Sequence, residues 1–406
     1  MDKIIDTKNN NDRYIGALDG IRALAICIVV WYHLWQQNWL SPYIRLDWKV
    51  LKYIGFKTDF LAVLVRYGFL WVDLLVLLSA FCNFYPYARA IILGEEWPDT
   101  KTFFIKRFAR IYPSYLLAML VSFIISIIGG AYDGQLGYAV KDLLTHITCT
   151  SVLFPSTIIG TKINFVLWTV EMEVLFYVLI PFLAKLYRKS LMISYLVMLA
   201  VGEISINYVL YSKNDSLRMF VNYPLTFFAV YANGFIACII YVLINKYKED
   251  NKYCDAVSTI MSLLSLICLF RIVRGFGDPE KLSEYQLSIR IVLSCVFAVF
   301  LCSTSLVVNK YRLLYDNALA RKVCLISYNL YLWHQYIFAQ MVMRHIPGYA
   351  GTDNPAWSGN TKWQYTYTIL AIINALVVAI LATLYIEKPC AKYILKRTGV
   401  IKRRRR

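Results

Sequence analysis

The chain has 406 residues, of which 59% are hydrophobic and only 17% charged. A water-soluble domain needs more polar surface than this, so a soluble enzyme is excluded and an all-α polytopic membrane protein is expected. The net charge of +18 does not point to nucleic acid, because the basic residues sit in segments between apolar runs and no long soluble basic domain exists to hold a duplex.

The first twenty residues, Met1 to Gly20, are polar and contain no secretory signal peptide. Hydropathy then predicts about ten membrane helices around a central cavity. They run over 21–39, 67–85, 111–129, 166–184, 191–210, 221–245, 255–273, 286–308, 322–344 and 366–386. The chain thus divides into an N-terminal segment (1–20), one membrane domain (21–386) and a basic tail (387–406). No repeat of fixed period and no appended soluble domain is visible.

Ten spans put both termini on one side. With that side cytoplasmic, roughly 28 of the 43 Lys and Arg lie inside and roughly 15 outside, as the positive-inside rule requires. The C-terminal Lys402-Arg403-Arg404-Arg405-Arg406 reads as a topology signal or a contact with anionic lipid. External segments fall at 40–66, 130–165, 274–285 and 345–365, and the second is expected to carry short interfacial helices. The ten cysteines lie mostly in apolar runs without C-x-x-C pairs, which reads as small buried side chains with no disulfide framework.

In the first span Arg22 and His33 are eleven residues apart. Eleven steps of about 100° bring them to one helix face, about 16 Å apart along the axis. A permanent cation therefore lies at the inner surface with a titratable base above it. Asp73, Glu173 and His334 fall at about the same depth as His33, as does Glu203, which suggests a shared cavity. Ionisable groups at that depth are costly and are functional candidates by default. Each also has a plainer role available, as a histidine bonding across helices or a carboxylate paired for specificity. His146 and His345, in or beside external loops, read as polar residues without a catalytic role.

A second constellation is basic. Arg107 and Arg110 are spaced i, i+3 at the inner end of the third span, level with Arg22. Three guanidiniums on one surface suit a phosphorylated ligand, the alternative being anchors to lipid phosphate. Phosphates would dock inside, a reactive end would reach the buried histidine, and a second substrate would approach from outside.

Six patches in order give the chain a resemblance to the acyltransferase 3 family of integral-membrane O-acyltransferases. Leu18-Asp19-Gly20-Ile21-Arg22 through His33 resembles the family's first span. Gly68-Phe69-Leu70-Trp71-Val72-Asp73 through Phe81 resembles the second. Phe104 through Pro113 resembles the Arg-rich inner segment. Leu167-Trp168-Thr169-Val170-Glu171-Met172-Glu173 with Phe176-Tyr177 resembles the Trp…Glu…Phe-Tyr motif. Ile326 through Trp333-His334 resembles the late histidine motif, and Glu387-Lys388-Pro389 the closing one. Ala80 stands where the family usually has glycine, and Gln335 where tryptophan is frequent.

The resemblance implies transfer of an acyl group, usually acetyl, from cytoplasmic acyl-coenzyme A to an extracytoplasmic glycan hydroxyl. Acetyl-CoA or another acyl-CoA would be the co-substrate, with no metal. Carried over by position, His33 is implied as catalytic base or acyl relay, with Asp73, Glu173 and His334 as further catalytic candidates. Arg22, Arg107 and Arg110 are implied as donor contacts. The implied setting is a bacterial plasma (inner) membrane, with lipids as the surrounding partner, no nucleic acid, and the oligomeric state open. Two rival readings use the same buried charges. One is a transporter or flippase with a midplane relay, which the missing repeated halves disfavour. The other is a structural member of a polysaccharide-export complex.

Overall fold

The computed structural model describes residues 14–40, 60–212, 219–248, 251–275, 281–351 and 353–401. The polar N-terminus up to residue 13, most of the expected external segment 40–66 and the Lys402–Arg406 cluster lie outside the described residues. Among the described residues the chain is helical, without strands. In order come α1 (Gly16–Asn38), a short α2 (Phe60–Arg66), α3 (Trp71–Leu93), α4 (Thr100–Ile128), α5 (Leu136–Ile147), α6 (Pro155–Gly160), α7 (Leu167–Lys189) and α8 (Leu191–Tyr211). Then follow α9 (Phe228–Tyr247), α10 (Lys252–Arg274), α11 (Leu282–Thr304), the single turn α12 (Asn309–Arg312), α13 (Ala318–Met343) and α14 (Thr361–Ala382). A π-helical turn at Thr383–Glu387 joins α14 to α15 (Lys388–Arg397).

Nine helices among the described residues are long and apolar enough to cross a membrane. They match nine of the ten expected spans. The tenth, expected at 322–344, is α13. It has 26 residues, enough to cross, but Asn329, His334, Gln335 and Gln340 dilute its apolar character. Asn329 and His334 are fully buried, so this helix is made polar by what it carries inward.

Several helix starts carry a side-chain cap that satisfies an otherwise orphaned backbone N–H. Asp99 accepts from Thr102 N at the start of α4, Asn317 from Ala320 N at α13, and Asn360 from Trp363 N at α14. The first helix begins five residues earlier than its apolar run. Gly20 explains this: a Cβ there would lie 2.0 Å from the Tyr315 carbonyl oxygen. The bare glycine lets the start of α1 press against the backbone ahead of α13, so Asp19 joins the helix although it is polar. His33 consequently lies seventeen residues after the start of α1 instead of the twelve that the hydropathy boundary implied.

In the bundle α1 runs along α13, α13 along α14, α3 along α9 and α10 along α11. The α3–α9 contact is close because Gly234 faces the Ala80 side chain, where a Cβ would come within 2.6 Å. Small residues permit such approach between membrane helices. The methyl group of Ala80 thus fills the notch left by a glycine on the neighbouring helix.

Candidate active site

His33 and His334 meet between α1 and α13. His334 Nε2 lies 3.0 Å from His33 Nδ1, with ring centroids 4.9 Å apart. His334 is fully buried and His33 half-buried. Their hydrogen-bond partners assign the protons. His334 Nδ1 faces the carbonyls of Leu330 and Tyr331 at 2.9 and 2.8 Å. Carbonyls only accept, so Nδ1 carries the hydrogen and, in the neutral ring, Nε2 is an acceptor. His33 Nδ1 then faces two acceptors, His334 Nε2 and the Val29 carbonyl at 3.1 Å, and it too carries the hydrogen. The lone pair of His33 is left on Nε2. A buried histidine thus fixes its partner as a base with known orientation.

One turn toward the start of α13, Tyr331 packs on His334 with centroids 5.7 Å apart. Asn164 reaches the same level from the segment before α7, donating to the Leu332 carbonyl at 2.6 Å. The segment 161–166 therefore dips into the bundle, and α7 begins near the histidines.

The arginines gather at the opposite end of the same path. Arg22 points at Cys82 Sγ (4.0 Å) and lies within electrostatic range of Asp19, Glu173 and Cys324. Arg107 lies over the rings of Phe103 and Tyr177, at 5.5 and 5.9 Å, and within range of Arg22 and Arg110. Its Nε is buried with no hydrogen-bond acceptor among the described residues. A buried guanidinium N–H without an acceptor is costly, and three clustered cations repel one another; an anionic ligand relieves both.

Glu173 belongs to this end. It accepts from the Tyr177 hydroxyl at 2.8 Å. Asp73 sits elsewhere. Its carboxylate pairs with Arg290 Nε at 3.3 Å, both residues essentially unexposed. Arg290 also donates to the Val221 carbonyl (2.6 Å) and Thr226 Oγ1 (2.7 Å), and covers the Phe227 ring at 4.1 Å. Glu203 is exposed and bonded to Asn207. The expectation of one cavity shared by His33, His334, Asp73, Glu173 and Glu203 is therefore corrected. The depths were similar, but side chains at one depth on different helix faces meet different neighbours. Of the predicted residues the fold joins His33 with His334, and Arg22 with Arg107, Arg110 and Glu173.

A buried network escaped the sequence reading. His146, expected beside a loop, is 2% exposed and lies between Asp142 Oδ1 (3.3 Å) and Glu171 Oε1 (3.6 Å). Tyr115 donates to Glu171 at 2.7 Å and Tyr132 to Asp142 at 2.6 Å. These bonds pin α5 to the bundle by its polar face, while Leu136, Val140 and Leu144 point outward. The signal was available: Asp142 and His146 are spaced i, i+4. Burial disfavours the charge on each, yet the close pairing of the two side chains, with the His146 Nδ1 hydrogen bond to the Asp142 carbonyl (2.8 Å) and Glu171 facing His146, outweighs it, raising the His146 pKa and lowering that of Asp142. The His146 contribution is full below its unfolded pKa of about 6.5 and is lost as pH rises through the higher folded value. That of Asp142 is present above about 3.9 and lost as pH falls through its lower folded value. The wild type is expected to melt about 1–3 °C lower at pH 8.5 than at pH 5.5, and His146→Gln to reduce that difference. Differential scanning fluorimetry in detergent checks this; an undiminished difference in His146→Gln would remove the pair as its cause.

Among the described residues no group of three His, Cys, Asp or Glu side chains is arranged to hold a metal ion. A family model described as an acyltransferase domain, that of acyltransferase 3, matches residues 15–388. The chain is also similar to a protein of Acidianus two-tailed virus named "Putative acetyltransferase ORF330", 26% identical over 338 residues, covering 80% of this chain and 83% of that protein. No solved structure matches the chain significantly.

Proposed function

The chain belongs to the acyltransferase 3 family, and on that premise we propose that it moves an acyl group, acetyl in the simplest case, from cytoplasmic acyl-coenzyme A to a hydroxyl of an extracytoplasmic glycan. The observation that carries this reading is the His33–His334 pair, held on the same helix path as an arginine cluster about 16 Å away. In the proposed orientation both termini and the arginine end face the cytoplasm of a plasma membrane, and the histidine pair opens toward the outside.

Arg22, Arg107 and Arg110 hold the donor's phosphates, with the free N–H of Arg107 as one contact. The thioester end extends toward His33. There Nε2 removes the proton of the acceptor hydroxyl as its oxygen attacks the thioester carbonyl. The new C–O bond forms, the C–S bond breaks, and the imidazolium returns its proton to the departing thiolate. His334 accepts the Nδ1 hydrogen bond throughout and so acts as a positioning residue. Glu173 lies among the arginines and offsets their charge before the donor arrives. Asp73, in its ion pair with Arg290, is assigned a structural role.

Two measurements test this. Purified full-length protein with acetyl-CoA is expected to release coenzyme A only when a glycan acceptor is added, and mass spectrometry of surface glycans is expected to lose an acyl increment when the protein is removed. Solute flux without coenzyme A release would favour the transporter reading instead. Arg107→Ala removes a contact made in the ground state, so the donor KM is expected to rise about 10-fold with kcat and acceptor KM little changed. Steady-state kinetics with each substrate varied checks it, and an unchanged donor KM would take Arg107 out of the donor site.

A further inference from the structure

Beyond the last residues of α1, the connection between α13 and α14 encloses an open cavity of about 840 Å³, within the range of small-molecule sites. Its frame is tied to α1. Asn354 Nδ2 donates to the Gln37 carbonyl at 3.0 Å, and Gln364 Nε2 to the Asn38 carbonyl at 2.8 Å. Gln37 lies one turn beyond His33 on the same helix face. A second route reaches the other histidine. Trp363, which lines the cavity, stacks on Tyr367 at 4.9 Å. The Tyr367 hydroxyl donates to the Phe338 carbonyl at 2.9 Å, and Phe338 meets the His334 ring edge-on at 5.9 Å. The frame of the cavity is thus tied to the two helices that carry the imidazoles.

Its lining has a distinct chemistry. Trp357 is 71% exposed, a large flat ring on a segment secured beneath by the buried Ala356. Asp353, Asn360 and Lys362 line the same space and are exposed. A sugar ring has one face of C–H groups, which an indole plane covers at low entropic cost. Its rim of hydroxyls needs planar acceptors and donors, which a carboxylate and an amide supply. Asp353 and Lys362 bring one charge of each sign to the lining, which gives an anionic lipid phosphate no net attraction.

We propose that this cavity is the acceptor subsite, taking a neutral sugar ring laid on Trp357 with its hydroxyls bonded by Asp353 and Asn360. The proposal rests on the acyl-transfer reading and adds where the acceptor sits. An acceptor placed here has its outer rings in the cavity and a hydroxyl directed one helical turn down, toward His33.

Saturation-transfer NMR on the detergent-solubilised full chain tests it, with cellotriose, maltotriose and chitotriose as probes. At least one is expected to bind the wild type. Trp357→Ala is expected to reduce its signal at least 5-fold and Asp353→Asn at least 2-fold, while His33→Ala retains binding. Because Trp357 is exposed, its replacement leaves the fold intact, which the melting curve verifies. Binding of none of the three, or equal binding by Trp357→Ala, would overturn the proposal. So would quenching, by brominated lipid, of the fluorescence that distinguishes wild type from Trp357→Ala, since that places the ring in the headgroup layer. Sugar binding with no coenzyme A release would reject the acyl-transfer reading and leave a sugar site. Release with an unchanged acceptor KM in Trp357→Ala would reject this subsite alone.

Discussion

His33→Ala is expected to reduce acyl transfer by about 10²–10⁴-fold, the usual contribution of a general base, with the fold retained and the melting temperature modestly lowered because the buried His334 Nε2 loses its donor. The side chain is half-buried, and Leu34 and Val29 carry the packing around it, so its loss removes chemistry more than structure. The partner histidine refines the test. His334→Ala leaves the His33 Nδ1 hydrogen with the Val29 carbonyl alone, so the ring is less well fixed. His334→Gln restores a side-chain acceptor and is expected to recover part of the lost kcat, with the pH profile still reporting His33. Coenzyme A release by the detergent-solubilised protein is the readout. Transfer at more than a tenth of the wild-type rate in His33→Ala would remove that residue from the mechanism.

Arg290→Met is expected to be the most damaging single change to stability. It strands the Asp73 carboxylate in the bundle without its counter-ion, and breaking a buried pair in this way costs about 3–5 kcal/mol. Arg290 also satisfies the Val221 carbonyl and Thr226 Oγ1, so two further acceptors lose their donor. The double variant Asp73→Asn/Arg290→Met removes both charges and is expected to regain most of the lost melting temperature. Thermal unfolding and yield of folded protein check both variants. Activity of the double variant then decides the role of Asp73. Transfer at the wild-type rate fits a structural ion pair, whereas a folded but inactive double variant would return Asp73 to the chemistry.

The helices were legible because apolar runs of bilayer length have few other uses, and Arg22 and His33 were legible as a pair because one helix fixes their relative angle. Across helices the sequence carries depth but not direction. That is why Asp73, Glu173 and the two histidines looked like one group and proved to be three. The histidine pair joins residues 301 positions apart, and no spacing rule spans such a distance. Arg290 could have been found. It is a cation inside the apolar run 286–308, and such a residue demands an acidic partner within the membrane. Glu171 could have been found as well. It stands two residues from Glu173, on the opposite side of the same helix, so the two carboxylates had to face different surroundings. The boundary of α1 was hidden because Gly20 extends the helix by packing against Tyr315, a contact that hydropathy does not register.

The polarity of α13 bears on how the protein is assembled. Its buried Asn329 and His334 make it the poorest candidate among the long helices for entering lipid alone, and its principal neighbours are α1 and α14. The first of these precedes α13 in the chain by eleven intervening helices and the second follows it. While the helices between them are made, therefore, the inner face of α1 waits in the bilayer without its mate. The two imidazoles come together only once α13 has been made, so a chain terminated before it is expected to be catalytically silent however many of its helices have inserted.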